Sequence, residues 1–256
     1  MVHKATHHLD LVNWWLSACP EEVFAMGARR YYGAETGMAD RLGLARHAER
    51  CLECRLKKRC PFYLDLRKTD QLRQMYLDCE KYDGYFRDRC VFGRTMDIED
   101  TMNLVVRYDT GALMSYSLNA FMPWEGYRVA FNGTRGRLEH DCVETVYISG
   151  DGREQGATIP QGTRIRLYPH FKPAREIPVA AAKGGHGGGD YPLMADLFAA
   201  RRPRDPYRRA AEAGAGAMSI LTGVAANRSM STGRPVRISS LIRRVPPIAW
   251  TPMKEW

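Results

Sequence analysis

The stretch TMNLVVRYDTGALMSYSLNAF, residues 101–121, constrains the fold more than any other part of the chain. It holds two runs in which apolar and polar residues alternate, and a period of two turns one face of each run toward a core. Asp109-Thr110-Gly111 joins the runs, and Asp and Gly between alternating segments signal a hairpin. The arrangement recurs in YRVAFNGTRGRLEHD around Gly133-Thr134-Arg135-Gly136, and ETVYISGDGRE gives a further edge. A mainly antiparallel sheet follows, and helices have to cover one of its faces.

Leu9, Val12, Trp15 and Leu16 recur at helical spacing, with Pro20 as a stop. EEVFAMGARRYYG leaves that helix as a strand, Val23 and Ala25 on one side and Phe24 and Met26 on the other. A glycine loop, Gly184–Gly189, precedes a helix over 191–200. A long Ala-rich helix, apolar at Ala217, Ile220, Leu221 and Val224, is stopped by Gly233 and Pro235. Over 31–93 the periodicity fails while cysteines and charges are dense, which predicts a helical or irregular insertion. The tail 241–256 is too rich in proline for regular structure. The predicted fold class is α/β of the α+β kind: a large, mainly antiparallel open sheet covered on one face by helices, forming one domain over 1–240.

A chain of 256 residues that is 45% hydrophobic sustains a core. No apolar run approaches the roughly 20 residues of a membrane span, and the start lacks the uninterrupted apolar segment of a secretory signal; a cytoplasmic location is expected. The net charge of +9 comes mainly from Arg55–Cys60, Arg201–Arg209 and Arg243-Arg244. These clusters are scattered and no nucleic-acid recognition pattern accompanies them. Solvated faces, or attraction for an anionic substrate or cofactor, account for them better than nucleic acid does.

Three groups of residues carry chemistry. In HKATHHLD, His3 and His7 are four apart and share a helical face, with Lys4 or His8 nearby; a neutral imidazole there can take a proton from a substrate hydroxyl, and the same residues also suit a polar helix start. Cys51, Cys54 and Cys60 form C-x2-C-x5-C, with Cys79 or Cys90 as a fourth thiolate, a donor set for zinc or an iron–sulfur cluster, or else a set of buried unligated thiols. His186, between glycines, is free to enter a cleft or to do nothing in a linker, while Asp190 caps the following helix. GAGAMS, Gly214–Ser219, imitates a dinucleotide fingerprint but lacks the preceding strand.

In family order, THHLDLVNWWL, DIEDTMNLVVRYDTGALMSYSLNAF, FNGTRGRLEHD, GGHGGGDYPLMADLF and AMSILTGVAANRSMSTGRPVRIS resemble the C-terminal domain of the glucose-fructose oxidoreductase and inositol dehydrogenase (Gfo/Idh/MocA) family. The resemblance implies an NAD- or NADP-dependent oxidoreductase acting by hydride transfer on a sugar or polyol. It also implies a homo-oligomer joined through the open sheet, and dinucleotide binding by a Rossmann domain absent from this chain. On the family pattern His7 takes the catalytic histidine's place, assisted by His3 and Lys4. His3 stands where the family has an aspartate. His186, His8 and Asp190 fall beside the substrate, and no cofactor-binding residue is expected here. The competing expectations are a metal-stabilised, non-catalytic interaction module and an inactive fragment.

Overall fold

A computed structural model of the chain describes residues 1–123, 125–145, 162–180, 188–201 and 203–242. In chain order the elements are α1 (Ala5–Leu16), β1 (Pro20–Ala28), α2 (Met38–Arg41), α3 (Asp70–Leu72), α4 (Glu80–Asp83), β2 (Thr101–Tyr108), β3 (Leu113–Asn119), β4 (Glu125–Gly133), β5 (Gly136–Thr145), β6 (Gly162–Pro169), β7 (Arg175–Ile177), α5 (Asp190–Phe198), α6 (Ala213–Thr232) and β8 (Val236–Arg237). The mixed α/β class with antiparallel strands agrees with the alternation read above. Among the described residues the eight strands fall into two four-stranded sheets, β3-β2-β1-β8 and β4-β5-β6-β7, where the sequence suggested one large sheet.

The first compact unit comprises Met1–Ala28, Thr101–Asn119 and the described residues beyond 182. Met102, Leu104, Val106 and Tyr108 alternate into its core, with Val23 and Ala25 beside them on β1. The β2–β3 hairpin closes as expected, with Gly111 at φ +82° and its N–H bonded to the Tyr108 carbonyl. α1 ends at Ser17, which adopts a left-handed conformation, before Pro20 is reached.

α6 lies on this sheet with the opposite face from the one its large side chains suggest. Ala215, Met218, Ser219, Thr222, Gly223, Ala225, Ala226 and Ser229 are buried, whereas Ile220 and Val224 are exposed. Small side chains let the helix approach β1 closely enough for Ser229 Oγ to accept the Ala25 N–H at 2.9 Å. Thr222 and Ser219 satisfy their hydroxyls within the helix, on the Met218 and Gly216 carbonyls. Burying this polar face therefore leaves none of these three hydroxyls unsatisfied.

The second unit comprises Arg29–Asp100 and the described part of 120–181. β4 and β5 turn back at Gly133–Gly136, where a Cβ on Gly136 would collide with the Tyr168 carbonyl. The cysteine-rich segment is held by buried carboxylates more than by periodic apolar faces. Fully buried Asp100 accepts the N–H groups of Arg30, Tyr31 and Tyr32 at 2.8–2.9 Å. Buried Asp88 accepts Arg50 Nε and the Leu52 N–H at 2.8 and 2.9 Å. Tyr31, Tyr32, Phe62 and Phe92 pack around one another, and Phe92 is the most buried of them. The ETVYISGDGRE edge beyond Thr145 and the tail beyond Ile242 lie outside the described residues.

Candidate functional site

The chain start is pinned before it enters α1. The Met1 nitrogen donates to Asn227 Oδ1 at 3.4 Å, and the backbone crosses α6 at Gly223, where a Cβ would come within 3.2 Å of Met1. The next residues, His3 and Lys4, are exposed, as is His7 one turn later. His3 precedes the helix, its carbonyl accepting Thr6 Oγ1 at 2.7 Å, and Lys4 occupies the N-cap. His3 and His7 therefore do not share a helical face, because the helix begins only at Ala5. Among the described residues no hydrogen bond or ion pair holds the side chains of His3, Lys4 or His7.

Two partners at this end of α1 escaped the sequence reading. Asp10, three residues after His7 and on its face, is half-buried; burial raises its carboxyl pKa, and a charged His7 opposes that rise. His8 turns inward, its Nδ1 2.7 Å from Tyr116 Oη on β3, with the rings tilted at 43°. Burial pushes the Tyr116 phenol up to about 12, so it keeps its proton and can donate to His8. Asp10 was within reach of sequence reasoning, because H-x2-D on a helix is an i, i+3 pair. Tyr116 was not, because it arrives through strand register 108 residues away.

Asn13, further along the same helix, is 1% exposed, and neither polar atom of its side chain has a partner among the described residues. Asp190 is the first residue of α5 and is exposed; the N-cap is Gly189, not Asp190, because the carbonyl that starts the helix, accepting the Leu193 N–H, belongs to Gly189. His186 lies outside the described residues.

The cysteines divide. Cys51, Cys54, Cys60 and Cys90 line one cavity of about 30 Å³ in the second unit. Cys79 does not line it and instead donates its thiol to the Gln74 carbonyl at 3.2 Å. Among the described residues, no three His, Cys, Asp or Glu side chains stand close enough together to hold a single metal ion.

Residues 1–238 match the C-terminal alpha/beta domain of the Gfo/Idh/MocA oxidoreductase family. The chain belongs to this family. A curated relative, the Bacillus subtilis (strain 168) protein named "Putative oxidoreductase YteT", is 39% identical over 251 residues, covering 94% of this chain and 56% of that protein. The chain thus spans little more than half the relative's length. Solved structures with a similar course include the aldose-aldose oxidoreductase from Caulobacter crescentus complexed with glycerol, at 14% identity over 91% of this chain and 45% of that one, TM-score 0.46. Another is an oxidoreductase from Agrobacterium radiobacter in complex with NAD+, L-tartaric acid and magnesium, at 10% identity over 93% and 49%, TM-score 0.48. Nothing about this chain's chemistry follows from likenesses of that size.

A nicotinamide dinucleotide does not fit the residues described. The strand pairs are all antiparallel, with no strand–turn–helix turn for the pyrophosphate. The GAGAMS stretch lies at the start of α6 with no strand leading into it, and from Gly216 onward the helix's own bonds occupy its backbone N–H groups. Among the described residues no helix is long and apolar enough to cross a membrane.

Proposed function

We propose that this chain supplies the substrate side of an NAD(P)-linked oxidoreductase acting on a hydroxyl of a sugar or polyol, the dinucleotide being held by a Rossmann domain. The observation that carries the reading is exposed His7, one turn from half-buried Asp10 and near enough to oppose the rise of that carboxyl's pKa, in the first turns of α1 of a domain of this family. Neutral His7 takes the hydroxyl proton as the carbinol is oxidised, or returns it in the reverse direction. Asp10 offers the resulting imidazolium a counter-charge from a position that solvent screens only partly. Lys4, unpaired at the N-cap, and His3 supply donors for neighbouring hydroxyls. His8, anchored on Tyr116, fixes the rotation of the helix that presents them. His186 and Asp190 would border the substrate from the glycine loop.

The outward face of the first sheet bears Phe24, Met26, Val105 and Leu113, all exposed. In the same reading this apolar face joins copies of the chain, which sedimentation of the wild type beside Val105→Lys would show as a loss of mass in the variant.

The test of the site is a thermal-shift titration of the purified chain against sugars and polyols, since a ligand bound only by the folded state raises its melting temperature. A saturable rise that His7→Ala and Lys4→Ala weaken at least about tenfold in ligand concentration (~1.4 kcal/mol) supports the assignment. A rise that ignores both substitutions would remove this end of α1 from the site.

A further inference from the structure

α5 turns its apolar side to solvent. Tyr191, Leu193, Met194, Leu197 and Phe198 are each more than half exposed, Tyr191 reaching 83%, while Pro192, Ala195 and Asp196 are the less exposed positions. At 3.6 residues per turn the five large side chains fill one continuous arc of about 160°, and the other three fill the opposite side. Among the described residues no other helix or strand packs along α5. Nine residues make a helix too short to persist in water on its own hydrogen bonds. Apolar side chains scattered over a surface are ordinary, but a contiguous row of them marks an interaction site.

Three properties of the arc fit a second copy of the same chain. It carries no charge between its ends, and Tyr, Phe and Met are residues that interface cores favour. It reads alike in both directions: about a two-fold axis at Met194 two such helices run antiparallel, Tyr191 of each meeting Leu197 of the other. Its ends are complementary in charge. Asp190 opens the helix on the side of the arc, and exposed Arg201 and Arg204 follow the helix end. Antiparallel pairing sets the carboxylate of each copy near the arginines of the other and opposes the two helix dipoles, whereas parallel pairing would bring like charges together. The area suffices as well. At these exposures the five side chains offer roughly 500 to 600 Å² per copy, or roughly 1,100 Å² in all, the lower end of specific interfaces.

We propose that this chain pairs with a second copy of itself through α5, antiparallel and about a two-fold axis at Met194. The contact is separate from the outward face of the first sheet and stands whether or not that face joins copies. An interface of this size dissociates in the micromolar range, on the order of 10 µM.

The test is sedimentation equilibrium of the 256-residue chain carrying Val105→Lys, so that the sheet face contributes nothing, at concentrations on either side of that value. A monomer–dimer equilibrium is the expected result. Leu197 is exposed, so Leu197→Lys leaves the fold intact, and it should weaken the dimer at least about tenfold. Asp190→Arg and Arg201→Asp should each weaken it about threefold, and the two together should restore it. Amide protection over residues 193–198 should rise with protein concentration in the Val105→Lys parent and not once Leu197→Lys is added. A Val105→Lys chain that stays monomeric, or a dimer that Leu197→Lys leaves equally strong, would overturn the proposal and give the arc to another partner, such as the dinucleotide-binding domain. Charge reversals that fail to rescue one another would overturn the antiparallel pairing.

Discussion

The two units are held by different means. The first is a sheet whose alternating apolar face meets a helix of small side chains, so its stability is spread over many modest contacts. The cysteine-rich part of the second rests on a few buried charged anchors, Asp100 and Asp88, and on one aromatic cluster. Spread contacts tolerate removal and resist enlargement, whereas anchors do the opposite.

The sharpest break of that comparison is Asp100→Ala. Three backbone N–H groups lose their acceptor together, and a loss of about 3 to 5 kcal/mol in urea unfolding is expected, with hydrogen-exchange protection vanishing at Arg30, Tyr31 and Tyr32. A loss below about 1 kcal/mol would mean that water replaces the carboxylate and that the anchor is dispensable. In the first unit the matching challenge is enlargement: Ala226→Leu on the fully buried face of α6 should cost about 1 to 3 kcal/mol by forcing the helix off β1. Tyr116→Phe removes a single hydrogen bond at His8 and should cost about 0.5 to 1.5 kcal/mol, read by thermal unfolding.

The smallest effect has a sign that pH reveals. Burial raises the Asp10 carboxyl above its unfolded value, so its contribution to stability is full below the ordinary carboxyl range and is lost as pH rises through the folded value. Asp10→Asn should therefore be the more stable protein near neutral pH, and the advantage should vanish in acid. An advantage that grew toward acid would show that the charge of His7, not burial, governs this carboxylate.

Legibility in the sequence followed the same division. Alternation over Thr101–Tyr108 and Val23–Met26 placed the first sheet's faces correctly because a period of two is a local property. The buried face of α6 was misjudged because hydrophobicity marks large residues, and close approach to a strand selects small ones. His7 was marked as a candidate by family order alone. His3 lies just outside the helix that carries His7, because Lys4 is the cap of α1. In the second unit no periodicity exists to read: Asp100 acts through backbone groups 68 to 70 residues away, and Cys90 joins Cys51 only through strand pairing. Separating Cys79 from the other four required coordinates, because spacing treats all five alike.

One contact at the boundary of the first sheet has a wider consequence. β8 pairs only with Glu22 and Val23, so β1 continues past its neighbour with main-chain groups that a strand from another molecule could recruit. By taking the Ala25 N–H, Ser229 fills that opening with a side chain carried on a helix. The hydroxyl thus guards solubility as well as packing, and a chain lacking it would be expected to aggregate under conditions where its melting temperature is barely altered.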